Sequence, residues 1–300
     1  MTSLCGLLGK SKQAYYKHED TAVRKVAEEA FCVEFIKEIR ARDPGIGGPK
    51  LWQMYRRRFG REHGVGYNRF YDIIEKYDLK VRKKRRRVQT TNSKHDYPTY
   101  PDLTRMLIPM GVNQLWVSDI TYIPFWLNPE TGTYDFCYLS LITDYYSKEI
   151  IGYSVGPTLE TRYSMEALEM AVRHVADVKA LVGTLIHHSD RGVQYASLEY
   201  TGRLKELGIR ISMTESGDPK DNAVAERVNN TIKNELLKGM EFTSIGEVAA
   251  AVKAAVDFYN NERPHMSLDG MTPSEASLLT GEIRKRWTSY REKAIKEAAA

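Results

Sequence analysis

Three carboxylates stand in surroundings that could do chemistry: Asp119, Asp190 and Glu226. Asp119 lies in Trp116-Val117-Ser118-Asp119-Ile120-Thr121-Tyr122, an alternating run that reads as a strand. Asp190 lies in His188-Ser189-Asp190-Arg191-Gly192, just past the apolar run Thr184-Leu185-Ile186. Glu226 falls early in a helical stretch, within Asp221-Asn222-Ala223-Val224-Ala225-Glu226-Arg227, and 35 residues separate it from Asp190. Acids on two strands and a helix can converge on two divalent cations about 4 Å apart, which activate a water or hydroxyl and stabilise the leaving oxygen at a phosphodiester.

Each acid also has an ordinary reading. An Asp in mid-strand can be bonded to backbone or to an Arg, since burying it without a partner is expensive. Ser-Asp-Arg-Gly is a plausible surface turn, although the end of a buried strand is also where α/β folds place ligands. On its helix, Glu226 has Asn222 and Asn230 about 40° away and Lys233 about 20° away. That polar face is either solvated or turned toward DNA, with Asn230 and Lys233 as candidate contacts. Asp144 and Asp221 are further acids, read as supporting groups or caps, and Asp221 suits a helix N-cap. His188 reads as structural, because chemistry on two metals needs no histidine base.

Several strings together carry a resemblance: Trp116 to Tyr122, His188 to Tyr195 (HSDRGVQY), Asp221 to Glu226 (DNAVAE) and Tyr259 to Pro273 (YNNERPHMSLDGMTP). The chain resembles transposases of the DDE class with a retroviral-integrase-like core, and among them the second-frame product of IS-three-family bacterial insertion sequences. The resemblance runs from about residue 11 to 280. It implies a ribonuclease-H-like core, Asp119, Asp190 and Glu226 as catalytic metal ligands, and two Mg²⁺ or Mn²⁺ ions. It also implies nicking at a 3′ end followed by attack of that 3′-OH on a second phosphodiester. The implied partners are transposon-end and target DNA, other copies of the chain on that DNA, and an upstream-frame protein or fusion. The implied setting is the bacterial cytoplasm, at the nucleoid. The alternatives are a catalytically inactive or accessory DNA-binding protein of the same fold and a structure-specific nuclease. A tyrosine recombinase is disfavoured, since Tyr290 lacks an Arg/His constellation.

Composition agrees with a globular nucleic-acid enzyme. Apolar residues make up 42% of the 300, enough for two or three cores, and no apolar run reaches the length of a membrane span. No secretory leader is visible at the N-terminus. Cys5, Cys32 and Cys137 form no C-x-x-C pair, so neither structural zinc nor a disulfide framework is expected. The net charge of +5 is uneven: residues 1–112 hold 24 Lys+Arg against 13 Asp+Glu, and the remainder hold 20 against 26. A basic front joined to an acidic half fits a DNA-binding module attached to a metal-dependent core.

The elements that must position the acids follow from periodicity. An N-terminal segment (1–20) precedes a helix-turn-helix-like domain (21–79). There Val26, Ala30, Val33 and Ile36 mark a helix over 22–40, with Glu29 off the stripe. Pro49 opens a second helix over Lys50 to Arg58, and Asn68 caps a third running to about Tyr77. A basic, Pro-containing linker spans 80–112, with Lys80, Arg82, Lys83, Lys84, Arg85, Arg86 and Arg87 as candidate phosphate contacts. The core (113–280) reads as strands 115–123, 134–143 and 149–155, a helix over 160–179 and a strand over 183–188. A helix near 197–207, a strand over 209–213 and the Glu226 helix follow. Met165, Leu168, Ala171 and Val175 mark the inner stripe of the 160–179 helix. The expected architecture is α/β: a mixed five-stranded ribonuclease-H-like sheet with flanking helices, behind a small all-α domain. A helix over 244–261 leads to Arg263-Pro264-His265, whose role is either structural or DNA-contacting. A helical tail (281–300) closes the chain.

The basic block generates a test. Converting Arg85, Arg86 and Arg87 to Ala is expected to weaken binding to all duplexes alike. The slope of log affinity against log salt should flatten by roughly one unit per lost phosphate contact. An unchanged slope in a salt titration would make the block a mere spacer.

Overall fold

The computed structural model describes residues 12–60, 65–81, 97–175, 177, 181–215, 222–284 and 290–299. The cluster Arg82 to Arg87, Asp221, Cys5 and most of the loop before Asp221 lie outside them. The chain divides into two units: residues 1–42 with 46–83, and residues 43–45 with 84–300.

The first unit holds three helices: α1 (Lys12–Arg42), α2 (Gly48–Phe59) and α3 (Tyr67–Lys76). Helix α1 begins ten residues before the expected start, and its inner face differs from the apolar stripe. Val26 and Ala30 are exposed, whereas Glu29 is buried beside Cys32, Val33, Ile36 and Ile39. The reason is pairing. Glu29 accepts from Arg69 (2.5 Å), Lys76 (2.6 Å) and the Tyr77 hydroxyl (3.0 Å), so one carboxylate ties α1 to α3. Pro49 does sit in the first turn of α2. The cap of α3 is Gly66, not Asn68, which lies exposed inside the helix. Lys80 pairs with Glu75 at the end of this unit.

The second unit is built on β1 (Leu115–Asn128), β2 (Thr133–Asp144), β3 (Ile150–Gly156), β4 (Ile186–Ser189) and β5 (Arg210–Met213). Their order in the sheet is β3-β2-β1-β4-β5. β1, β2 and β3 form an antiparallel meander, and β4 and β5 add parallel to β1. This is the expected mixed sheet. The first hairpin is longer than the sequence suggested, because β1 continues five residues past Ile123. Helices α4 (Thr161–His174), α5 (Val193–Ala196) and α6 (Leu198–Glu206) pack one face around Trp116, Leu168, Tyr200 and Met213. On the other face lie α7 (Ala223–Thr231) and α8 (Ile245–Asn261), where Ala225 joins Leu115, Val117 and Ile186. The short α9 (Pro273–Ala276) and the tail helix α10 (Tyr290–Ala299) follow. Among the described residues no helix is long and apolar enough to cross a membrane.

Two details fix how α4 and the sheet edge sit. Helix α4 ends at His174, short of the expected 179. Its buried stripe is Tyr163, Ala167, Leu168, Ala171 and Val172, while Met165 and Val175 are only partly covered. The edge strand β3 has its Ile150 amide and carbonyl satisfied by the Asn260 side chain (3.0 and 2.9 Å), so α8 closes this edge. Close approach of α4 to β3 requires a glycine. A Cβ on Gly152 would lie 2.1 Å from the Ala167 carbonyl oxygen. Gly152→Ala is therefore expected to lower stability by about 1–3 kcal/mol through overpacking. Urea unfolding checks this, and an unchanged midpoint would mean that α4 yields without strain.

Candidate active site

The parallel pairing of β1 with β4 runs through three residues only: Leu115↔Ile186, Trp116↔His187 and Val117↔His188. Beyond Val117 the two strands part, and the site forms where they part. Asp119 follows on β1, and Asp190 follows Ser189 at the end of β4. Asp190 is held in a tight turn, where its Oδ1 accepts the Gly192 amide at 3.0 Å. A Cβ on Gly192 would come within 2.9 Å of that oxygen, so a larger residue would push the carboxylate away.

Helix α7 closes the gap. Asn222, at its N-cap, donates from Nδ2 to the Ser118 carbonyl at 2.8 Å, replacing the ladder bond that β4 no longer supplies. One turn into the helix stands Glu226, exposed. Three residues later the buried Asn229 donates from Nδ2 to Asp119 Oδ2 at 2.8 Å. Asn229 went unnoticed in the sequence. It lies about 60° from Glu226 around the helix, and the only available signal was its place three residues after an acid on the same face.

Electrostatics link the three acids. Part of Asp119 reaches the surface, but its carboxylate is deeply desolvated. Burial first, then the charge of Asp190 and, more weakly, that of Glu226 together push its pKa up to about 7. Asn229 and the Ile120 amide oppose the shift. A desolvated carboxylate beside like charges is the arrangement a cation relieves. Among the described residues no three His, Cys, Asp or Glu side chains close into a ready-made metal cage. The donor set itself fits a hard cation: three carboxylates, with no thiol or imidazole among them.

Buried polar groups brace the site from behind. His187 Nε2 lies 2.7 Å from Ser118 Oγ and 2.9 Å from the Tyr200 hydroxyl, all three fully buried. Burial pushes the His187 pKa down to about 3, so the ring is neutral. His188 is structural as expected: its Nδ1 lies 2.8 Å from Ser212 Oγ, which also accepts the Leu103 amide. Asp144 is a turn residue, accepting from Asn113 and from the amide and hydroxyl of Ser147. Arg263 is buried and pairs with Glu235 (2.8 Å) and Asp43 (3.7 Å), a structural role. Tyr290 begins the tail helix.

Of the candidate DNA contacts, Asn230 is exposed and bonded to Asn234. Lys233 stands in a π-helical turn (Ile232–Leu236) that follows α7, with Nζ 3.3 Å from the centroid of the Tyr122 ring. Burial pushes its pKa down to about 8, while the negative ring face favours the ammonium. Lysine NMR is expected to show a Lys233 midpoint well below the ordinary value of about 10.4. Tyr122→Leu should lower it further. Between the folded and unfolded pKa values the folded chain binds fewer protons, so this group makes stability rise with pH across that window. A midpoint at or above the ordinary value would refute the burial of the ammonium.

Comparison with known protein families agrees with the sheet. Integrase core domain families match residues 109–219 and 207–273. The insertion element IS600 31 kDa protein of Shigella sonnei is 32% identical over 282 residues, covering 90% of this chain and 96% of that one. The putative transposase of IS986/IS6110 from Mycobacterium tuberculosis is 32% identical over 272 residues, covering 87% and 92%. Among solved structures, a simian T-cell lymphotropic virus intasome gives a TM-score of 0.47 at 16% identity, covering 85% of this chain and 80% of that one. With the integrase core domain in place and full-length relatives on both sides, the chain belongs to the DDE-type transposases of bacterial insertion sequences, which are polynucleotidyl transferases.

Proposed function

We propose that the protein cuts DNA at the ends of an insertion sequence and joins the freed 3′ ends to a target, with Asp119, Asp190 and Glu226 holding two Mg²⁺ or Mn²⁺ ions. The observation that carries this reading is the placement of Asp119 and Asp190 where β1 and β4 part, with Glu226 in the first turn of the helix whose cap bonds to β1 at that gap. When bound, the cations would acidify the attacking water or hydroxyl and stabilise the leaving oxygen. The chain's own residues do the rest. Asn229 holds the Asp119 carboxylate in one orientation. The Gly192 amide does the same for Asp190. Lys233 offers a point charge to a DNA phosphate, and Asn230 an exposed amide on the same helix. Lys80 and the block Arg82 to Arg87 contact phosphates without reading sequence. Several copies assemble on the DNA, and an upstream-frame protein or fusion supplies further end recognition.

Asp119→Asn, Asp190→Asn and Glu226→Gln test the assignment one acid at a time. Each keeps the side-chain shape and removes the charge that holds a cation. Cleavage of an end duplex in Mg²⁺ should fall roughly 10²–10³-fold or more, while duplex affinity and the metal-free unfolding midpoint hold. A precut end with a free 3′-OH separates a transposase from a simple nuclease, since only the former yields joined product. Near-normal cleavage by any one variant would remove that residue from the site.

A further inference from the structure

Beyond Asp119 the first hairpin breaks the alternation expected of a sheet with one wet face. Ile123, Phe125, Cys137 and Leu139 are 3, 9, 0 and 0% exposed, so the odd-numbered face is covered as far as Phe125. The even-numbered face ordinarily carries polar residues. Here it carries six ring residues in register: Tyr122 with Tyr138, Pro124 with Phe136, and Trp126 with Tyr134. None of the six is buried, and Tyr134 is 56% exposed. The aromatic rings meet edge to face. Tyr122 lies 5.1 Å from Phe136, Phe136 lies 5.5 Å from Tyr134, and Tyr134 lies 6.1 Å from Trp126. Cross-strand packing stiffens the hairpin, but it does not require that the rings face water. Contiguous exposed apolar surface marks a contact site.

The inner end of the ladder identifies the partner. Tyr122 stands about 10 Å along β1 from Asp119, under the Lys233 ammonium. Rings in succession with a cation at one end match the chemistry of a single DNA strand, whose bases stack while its phosphates seek positive charge. Asp135 is in register with Phe125 and so alternates to the opposite face.

We propose that the Tyr122–Trp126 and Tyr134–Tyr138 face of the hairpin stacks unpaired nucleobases of a DNA strand, one of whose phosphates meets Lys233. The proposal rests on the reading of Asp119, Asp190 and Glu226 as a DNA-cleaving site. It adds that DNA next to that site is bound with its strands parted.

The test compares a labelled dT oligonucleotide with a blunt duplex of equal length, using the full chain and a triple variant, Trp126→Leu with Tyr134→Thr and Phe136→Thr. These replacements keep strand-forming residues. Tyr134→Thr alone, at the most exposed ring, serves if the triple variant unfolds early. Affinity for dT should fall roughly tenfold for each stacked base lost, with duplex affinity unchanged. Bound dT should also quench Trp126 fluorescence, a signal absent from Trp126→Leu. Unchanged dT affinity overturns the proposal. So does loss of self-association in sedimentation with dT binding intact, which would assign the face to a second copy. Asp119→Asn keeps the two readings apart. It should bind and quench dT normally, whereas normal cleavage by that variant would sink the catalytic assignment and leave the ladder standing.

Discussion

The site depends on a pairing that stops early. Had β4 continued beside β1 past His188, the Ser118 carbonyl would be bonded within the sheet. Instead the strands part, and the groups left open on β1 find other partners. Asn222 donates to the Ser118 carbonyl, and the Trp126 amide donates to the Phe242 carbonyl at 2.7 Å. Buried backbone groups must be paired, so the gap dictates where α7 begins and where the chain after it must pass. Glu226 is thereby carried to the mouth of the gap, and Asn229 to Asp119.

A gap holding like charges strains its walls. The charge of Asp190 raises the pKa of Asp119; like charges so placed tend to spread the strands that carry them, and the bracing behind β1 opposes this. His187 lies between Ser118 on one strand and Tyr200 on α6, in a fully buried and fully engaged network. Such a network specifies one arrangement of the core, because any slip leaves a dry polar group without a partner. On the other face, the buried Arg263 holds Glu235 of the π-helical turn, and the Gly45 amide bonds the Glu235 carbonyl at 2.9 Å. The helix bearing Glu226 is therefore secured at both ends, at Asn222 and at Glu235.

Much of this could be read in the chain. The alternation of Trp116 to Tyr122 gives a strand, and Asp119, Asp190 and Glu226 stand out through the strings around them. What escaped was tertiary. Glu29 looked like a solvent-facing residue because its partners Arg69, Lys76 and Tyr77 lie some forty residues away, and no helical period reports them. Asn68 met the composition rule for a cap, but the chain entered α3 two residues too early for it to serve. Asn229 looks like any helix asparagine until β1 is laid beside it. The strand expected over 115–123 in fact runs on to Asn128 through Pro124. At that position β4 no longer pairs with β1, so the missing N–H breaks no ladder bond there.

The π-helical turn explains why Lys233 and Glu226 part company. On a regular helix they would lie about 20° apart, on one face. The turn inserts an extra residue per hydrogen bond, with the Leu237 amide reaching back to the Ile232 carbonyl at 2.9 Å. Lys233 instead lies over Tyr122, where a ring face steadies the charge without neutralising it. A carboxylate in the same place would have bound the lysine as an ion pair and withdrawn it from any phosphate. The fold thus seats the Lys233 ammonium on a ring face, in the turn that follows the helix bearing Glu226.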